Sequence, residues 1–484
     1  MNREFEQLLD KVRREGGEIR SDSREVGKGD IFVAVPGVNA DGARFIPPAV
    51  EAGASTIVCL PGGAEAEAAR AAGCTVVHHD DPREALWRLA EARWYTGSLP
   101  LRVLGVTGTN GKTTSAYLLE HLFTATGHKV GVLGTVSYRW PGHCEAAPLT
   151  TPDPLRVHAM LAAMAQAGVD IAVMEVSSHA LEQQRVCGVP FAGASFSNLT
   201  QDHLDFHQDM ESYFRAKSRL FLELPRADKV MAINGDDPWG RRLLELCPRA
   251  LSFGLQKALP QQRHLWGELL SAGTDGCHLR MHLDGQQWEL RSPLVGAFNA
   301  SNLLSVQALA LELGLMPDDL RHLEDFHGVC GRLERVPNAR KLHVFVDYAH
   351  TPDALVNVLK ALRGAGFKRI VTVFGCGGNR DRTKRPIMGE AVARYSDVAV
   401  LTSDNPRFED PEAILKDVLP GLREAREVVV EVDRRKATAK AVEMLGPDDA
   451  LLIAGKGHED YQIIQGTKHH YSDQEVVREL LGCA

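Results

Sequence analysis

The chain has 484 residues, 44% hydrophobic and 24% charged, globular proportions that exclude disordered and collagen-like classes. Lys+Arg 55 against Asp+Glu 63 leaves a net charge of −8, which excludes a surface built throughout for nucleic acid but allows a local nest around an anionic small molecule. The length predicts roughly three domains, and 44 glycines point to tight turns and close backbone approaches to ligands.

Nine cysteines are scattered from Cys59 to Cys483 without a C-x-x-C pair, so neither a disulfide framework nor a zinc site is expected. The opening MNREFEQLLDKVRREGGEIR is charged throughout and does not read as a secretory signal. No apolar run approaches the ~18 residues of a membrane span. A soluble, cytoplasmic protein is expected.

Along the chain, short β-branched runs alternate with helical stretches, the pattern of α/β domains with parallel sheets. Strands are predicted at Asp30–Val35, Ser55–Leu60 and Cys74–His78, followed by an amphipathic helix over Arg83–Tyr95. The turn-rich Thr96–Pro100 marks a first boundary. Beyond it the strand Leu101–Val106 opens a second segment, with further strands at Val130–Leu133, Asp170–Met174 and Lys229–Ile233. Residues 250–295, polar and punctuated by glycine, read as an inserted antiparallel piece. A second boundary falls near Gly328–Arg332. The last segment is the most regular, with strands at Leu342–Val346, Arg369–Phe374, Asp397–Thr402, Glu427–Val432 and Ala450–Ile453, and helices at Pro352–Leu362 and Pro411–Leu422.

The strongest local signal is GVTGTNGKTT at 105–114, after an apolar strand and before a helix over Ser115–Thr124. Glycines let backbone N–H groups face a phosphate, the helix N-terminus adds its dipole, and Lys112 adds a point charge. The hydroxyl of Thr113 suits Mg²⁺. Val106 stands where the strict G-x-x-x-x-G-K-[ST] pattern has glycine. Glu175 directly follows the strand ending at Met174 and could hold magnesium, although such an acid often merely begins a solvated loop. His203 and His207 are spaced for one helix face, but spacing alone weighs against ligation. In the last segment the strand ends read DYAH (347–350), GCGGNRDR (375–382), SDNPR (403–407) and GKGHE (455–459). Ligands of open parallel sheets sit at such carboxyl ends, so four polar loops on one edge predict a binding face.

Together these residues resemble the Mur ligase family, ATP-dependent amide-forming enzymes of peptidoglycan precursor synthesis. The strings that carry the likeness are TGTNGKTT (107–114), TTPD (150–153), EVSSHAL (175–181), DHLD (202–205), AKSRLF (216–221), GAFNASN (296–302), GRLE (331–334), DYAHTPD (347–353), DNPR (404–407) and GKGHE (455–459). Within the family the likeness is greatest to the branch that adds meso-diaminopimelate to UDP-N-acetylmuramoyl-L-alanyl-D-glutamate. The resemblance implies an α/β protein of three domains: a UDP-binding domain over 1–98, a central P-loop ATPase with a parallel sheet over 99–330, and a C-terminal Rossmann-like, doubly wound domain over 331–484. It further implies ATP and Mg²⁺ as cofactors, an acyl-phosphate intermediate, small-molecule substrates only, and a monomer.

Residue roles carry over on the same terms. Ser21, Ser23 and the loop Val38, Asn39 and Ala40 would hold the uridine-diphosphate sugar. Thr150, Thr151, Ser177, Gln183 and Arg185 would hold the rest of the precursor. Gly108, Thr109, Asn110, Gly111, Lys112, Thr113 and Thr114 would bind the ATP phosphates. Asn299, Asn302 and Arg332 would contact the nucleotide, and Asp347 its ribose. Lys112, Lys217, Glu175 and His203 would be catalytic, with Thr113, Glu175, His203 and Lys217 around the metal. Lys217 matches a lysine carbamylated in the family; without the resemblance it reads as an exposed helix lysine. Arg380, Asp404, Asn405, Pro406, Arg407, Gly455 and Glu459 would bind diaminopimelate, Arg407 gripping the carboxylate that lysine lacks. The plain reading of Arg407 is an arginine closing a turn against Glu409 or Asp410. A lysine-adding ligase and a folate polyglutamate synthetase share the central domain, and a P-loop switch would need only 107–114, leaving the four C-terminal loops unexplained.

Overall fold

The computed structural model describes residues 3–37, 41–257 and 262–482. The chain divides into two units, Met1–Leu265 with Leu304–Leu320, and Trp266–Leu303 with Arg321–Ala484.

The first unit begins with α1 (Arg3–Glu15), β1 (Ile19–Arg20), β2 (Ile31–Val33), α2 (Ile46–Glu51), β3 (Thr56–Cys59), α3 (Ala64–Ala71), β4 (Thr75–His78) and α4 (Pro82–Trp94). Its four strands form a parallel sheet in the order β1-β2-β3-β4. Neighbouring strand residues point to opposite faces. Val33, Val58 and Val77 pack under Phe5, Leu9, Leu86 and Leu89 of α1 and α4. Phe32, Ile57 and Val76 pack under Ile46, Ala49, Ala66 and Ala69 of α2 and α3. Burial on both faces explains why these strands read as continuous apolar runs. Asp81 caps α4 by accepting from Arg83 N, with Pro82 in the first turn.

The unit continues with β5 (Arg102–Thr107), α5 (Lys112–Ala125), β6 (Val130–Leu133), β7 (Ser137–Trp140), β8 (His143–Ala146), α6 (Pro154–Gln166), β9 (Ile171–Glu175), α7 (Ser178–Glu182), β10 (Phe191–Phe196), α8 (Leu204–His207), α9 (Met210–Leu222), β11 (Pro225–Asn234), α10 (Pro238–Leu246) and β12 (Leu251–Gly254). The strands run β12-β11-β10-β5-β9-β6-β7-β8. They are parallel from β12 to β6, and the β7–β8 hairpin closes the edge antiparallel. Central β5 therefore presents its carboxyl end between those of β10 and β9. The strand β10, FAGASF, was not expected from the sequence, because Gly193 and Ser195 dilute its apolar pattern. Gly193 is needed there: an added Cβ would lie 3.1 Å from Leu104 and Leu309 side chains.

The expected antiparallel insert starts later than 250. Leu251–Gly254 pairs in parallel with β11. The antiparallel meander is β13 (His264–Gly273), β14 (Gly276–Leu283) and β15 (Gln286–Ser292). It is followed by α11 (Ala297–Glu312).

The second unit holds β16 (Glu334–Arg335), β17 (His343–Asp347), α12 (Pro352–Gly364), β18 (Ile370–Phe374), α13 (Lys384–Tyr395), β19 (Val398–Leu401), α14 (Pro411–Val418), β20 (Val428–Val430), α15 (Arg434–Glu443), β21 (Ala450–Ala454), β22 (Tyr461–Ile464), β23 (Thr467–His470) and α16 (Asp473–Leu481). Its sheet order is β16-β17-β21-β18-β19-β20, parallel except at β16. Phe345, Ile370, Leu401 and Leu452 face α12, α13 and α14. Val344, Val371, Val400 and Leu451 face α15 and α16. The helix expected over Pro411–Leu422 changes to a 3₁₀ turn at Leu419, where Pro420 has no N–H to continue the α-helical ladder.

Candidate active site

The loop between β5 and α5 wraps the end of its strand as the sequence requires. Gly108 has φ +150, and a Cβ there would meet Ser197 Oγ at 2.0 Å. Gly111, with φ +88, turns the chain into α5, which starts at Lys112. The neighbouring strand end stitches the loop down. Asn198 O accepts from Thr109 N at 2.9 Å, its Oδ1 accepts from Asn110 N at 2.9 Å, and Ser197 Oγ donates to Asn110 O at 2.6 Å. Backbone N–H groups of Gly111 onward stay at the helix mouth, where an anion is favoured.

Two lysines converge on one carbonyl. Lys112 Nζ donates to Gly108 O at 2.8 Å and Thr109 O at 2.9 Å, and Lys217 Nζ donates to Gly108 O at 2.9 Å. Lys217 lies on α9, is only 1% exposed, and sits over the Tyr213 ring with its Nζ 4.8 Å from the centroid. The plain reading of an exposed helix lysine is therefore wrong. Burial and, next, the nearby Lys112 charge hold the Lys217 ammonium well below its ordinary pKa, against a smaller pull from Asp202. Tyr213 also ties the loop, its hydroxyl 3.2 Å from Thr109 Oγ1.

Glu175 is the last residue of β9 rather than the start of a loop, and it is 1% exposed. Thr113 Oγ1 donates to Glu175 Oε2 at 2.9 Å, Thr135 N to Oε1 at 2.8 Å, and Thr135 Oγ1 to Oε2 at 2.9 Å. Gly134 makes room for this carboxylate, since a Cβ there would lie 2.3 Å from Oε1. Gly134 and Thr135 do not stand out in the sequence, where a Gly-Thr step at the end of β6 is the available signal. Among the described residues, no group of three or more His, Cys, Asp or Glu could by itself hold a metal ion. The observed donors are instead hard oxygens, a hydroxyl and a carboxylate in contact. That set suits Mg²⁺, which takes few protein ligands and completes its shell with phosphate and water.

His203 and His207 do not both lie on a helix, because α8 begins only at Leu204. His203 has φ +53 and precedes α8, half exposed, while His207 is buried. Their rings gather around aromatic neighbours: His203 and His179 at 4.8 Å between centroids, His207 stacked on Tyr213 at 5.0 Å.

The residues expected to hold the acceptor precursor come together beside Glu175. Thr151 Oγ1 donates to Glu175 O at 2.7 Å and accepts from Ser177 N at 3.1 Å. Thr150 Oγ1 is 3.2 Å from Thr135 Oγ1. Arg185 donates to Thr151 O at 3.1 Å and to Gln183 Oε1 at 2.7 Å. Ser21 and Ser23 follow the carboxyl end of β1, with Asp22 capping the turn between them. Val38, Asn39 and Ala40 lie outside the described residues.

In the second unit, Asn299 and Asn302 are buried at the start of α11, linked by a 3.1 Å hydrogen bond. Arg332 lies over the Tyr348 ring at 5.0 Å. Asp347 ends β17 and accepts from Leu333 N at 2.6 Å and Ala349 N at 2.7 Å, while burial pushes its carboxyl pKa up.

The remaining loops interlock because glycines let them touch. A Cβ on Gly378 would lie 2.0 Å from Pro406 O, and one on Gly455 2.5 Å from Asp404 Oδ2. Asn405 Nδ2 donates to Glu459 Oε2 at 2.9 Å. Arg407, at φ +53 and half-buried, donates from Nη1 to Gly378 O at 2.9 Å, and it and exposed Arg380 flank Gly377. Arg407 does not close a turn on Glu409, which is held by Arg385 through Nη1 at 2.9 Å and Nη2 at 2.8 Å. Arg385, 1% exposed and overlooked in the sequence, thus anchors the loop that carries Arg407.

Profiles of known families match most of the chain: "Mur ligase family, catalytic domain" over 17–94, "Mur ligase middle domain" over 106–310, and "Mur ligase, glutamate ligase domain" over 331–457. A UDP-N-acetylmuramoyl-L-alanyl-D-glutamate–2,6-diaminopimelate ligase of Lawsonia intracellularis is 56% identical over 96% of this chain and 95% of its own. The ligase of the same name from Thermosynechococcus vestitus is 44% identical over 96% and 92%. A solved structure of a ligase of that name superposes with TM-score 0.69 at 32% identity, covering 96% of this chain and 94% of the other.

Proposed function

The chain belongs to the Mur ligase family, and from that premise we propose how it works: it joins meso-diaminopimelate to the D-glutamate side-chain carboxylate of UDP-N-acetylmuramoyl-L-alanyl-D-glutamate at the expense of ATP. Two relatives at 56% and 44% identity carry the name of that ligase. The observation in this chain that best supports the reading is the contact of Thr113 with Glu175 beside the precursor cluster of Thr150, Thr151 and Arg185. We assign residues 1–98 to the precursor's nucleotide, 99–330 to ATP and 331–484 to the amino acid, and place the reaction in the cytoplasm.

A carboxylate is a poor electrophile, so the reaction first makes it a better one. One glutamate oxygen attacks the γ-phosphorus, the bond to the β-phosphate oxygen breaks, and ADP leaves. The acyl phosphate then meets the amine of the incoming amino acid: the C–N bond forms through a tetrahedral intermediate, phosphate departs, and the amine loses its proton. The backbone N–H groups at Gly111 and Lys112, with the Lys112 charge, would follow the transferring phosphoryl group. Magnesium, arriving with ATP, would neutralise phosphate charge, and Thr113 and Glu175 would hold it.

Lys217 fits a carbamate. Among the described residues no carboxylate pairs with its buried amine, which is biased toward the neutral form. The neutral nitrogen can attack CO₂, forming a C–N bond and releasing a proton, which turns a cation into an anion able to position the metal.

Arg407 would set the amino acid. With Nη1 on Gly378 O, its other N–H groups remain for a carboxylate. Lysine leaves them unpaired, at a cost of about 1.5–3 kcal/mol for hydrogen bonds to a charged group, or roughly 10- to 150-fold. The test supplies ATP, Mg²⁺ and the UDP-dipeptide with meso-diaminopimelate and L-lysine in competition, reading product mass for wild type and Arg407→Ala. Wild type is expected to favour diaminopimelate and the variant to lose most of that preference; preference for lysine in wild type would defeat the reading.

A further inference from the structure

We propose that Lys456 is a positioning residue for amino-acid selection, holding the Asn405 amide and the Glu459 carboxylate in the one arrangement that meets the incoming amine. The inference rests on the function proposed above, but its geometry stands alone. Lys456 follows β21 directly after Gly455 and is fully buried, at 0% exposure. Its Nζ donates to Asn405 Oδ1 at 3.1 Å and to Tyr461 O at 2.7 Å. The same nitrogen lies 3.7 Å from Glu459 Oε2 and 4.0 Å from Asp404 Oδ1.

These contacts decide which way Asn405 points. Its Oδ1 receives Lys456 Nζ and the Ile463 N–H, the latter at 2.9 Å, and both groups can only donate. The amide therefore cannot flip, and Nδ2 must face Glu459, donating to its Oε2. Behind Lys456 the charges alternate. Arg434 and Asp473, each fully buried, pair at 2.8 Å, and Arg434 Nη2 also donates to Ala454 O at 3.0 Å, just before Gly455. Asp404 and Arg434 flank the Gly455 position. Three carboxylates, those of Asp473, Asp404 and Glu459, thus face two cations, Arg434 and Lys456. The row ends on the half-buried carboxylate of Glu459, with Lys456 behind it. An ammonium arriving there completes the alternation. Burial lowers the Lys456 pKa while Asp404 pulls it up, so the lysine works as a confined cation that does not itself reach the ligand.

Were Lys456 merely a strut between β21 and the β22–β23 hairpin, its removal would weaken the fold and touch all substrates alike. Positioning predicts a narrower effect. In Lys456→Met the KM for meso-diaminopimelate should rise about tenfold or more, the equivalent of a charged hydrogen bond lost through Asn405. The KM for ATP and for the UDP-dipeptide should stay within about twofold and kcat should change little. Because Lys456 acts through Asn405 as well as Glu459, the double variant with Asn405→Ala should lose less than the sum of the two single losses. An unchanged or lowered KM for the amino acid, or additive effects in the double variant, overturns the proposal. If Lys456→Met does not fold, Lys456→Gln carries the same comparison, and failure of both to fold also overturns it by making Lys456 a residue of the fold. Wild type that uses L-lysine in place of diaminopimelate would defeat the proposed substrate instead. The KM comparison is then made with lysine, since Asn405 and Glu459 face the amine common to both.

Discussion

Lys112 and Lys217 both donate to the carbonyl of Gly108, yet they differ in burial, Lys217 being enclosed and Lys112 only half-buried. Lys112 is half-buried at the first position of α5, where its ammonium holds the Gly108 and Thr109 carbonyls and would turn to a bound phosphoryl group. Lys112→Ala should keep native circular dichroism while kcat falls about 10²- to 10³-fold, the usual cost of one transition-state donor; near-normal turnover would sink the phosphate-loop assignment. Lys217 is the opposite case. Its folded pKa is lowered, so the unfolded chain holds a proton the folded chain resists, and stability declines as pH falls from 10.5 toward the folded value. Two outcomes follow for Lys217. Stripping dissolved CO₂ should depress activity and bicarbonate should restore it. Lys217→Met should melt higher than wild type in CO₂-free buffer near neutrality while being almost inactive. An active, unstabilised Lys217→Met would refute the carbamate.

Among the elements, α6 shows how a polar group can be buried safely. His158 on its inner face is wholly buried, with Nδ1 2.7 Å from Thr96 Oγ1 and Nε2 3.1 Å from Cys187 O. Burial depresses its pKa to about 4 from 6.5, against the Cys187 hydrogen bond. The sign follows directly. The folded state excludes the proton that the unfolded state accepts below pH 6.5, so the contribution is full above 6.5 and is lost as pH falls toward 4. Between pH 7 and pH 5 the loss is about 2 kcal/mol, at 1.36 kcal/mol per pKa unit. Urea unfolding of wild type and His158→Gln at the two pH values reads it. Equal pH slopes in the two proteins would show that His158 titrates alike folded and unfolded. The sequence pattern located the strand β9 that follows α6 but neither α6 nor this residue, whose burial depends on the turn at Thr96 and the loop at Cys187 meeting it.

For the whole chain, separate hydrophobic clusters serve the N-terminal sheet, the central sheet and the two faces of the C-terminal sheet. Such cores need not melt together. Scanning calorimetry should give a calorimetric enthalpy well above the van't Hoff value, with Mg²⁺ and a non-hydrolysable ATP analogue at ~100 Kd stabilising the nucleotide-binding unit by ~2.7 kcal/mol. A single two-state transition indifferent to nucleotide would contradict both statements.

Local order was legible because it has a local cause. The glycines at 108 and 111 specify a tight turn from strand to helix, the capping Asp81 and Pro82 specify a helix start, and apolar runs such as Ile370–Phe374 specify strands covered on both faces. The roles proposed for the family strings rest on likeness. Only the tertiary structure decided the rest, since it depends on pairing between residues far apart. It put β21 between β17 and β18, so that GKGHE lies against DNPR. It set Thr135 and Gly134 around Glu175, and it buried Lys217 against the carbonyl of Gly108. A residue's own sequence neighbours set its backbone; burial, and with it charge state and chemistry, is set by whatever distant segment the sheet order brings alongside.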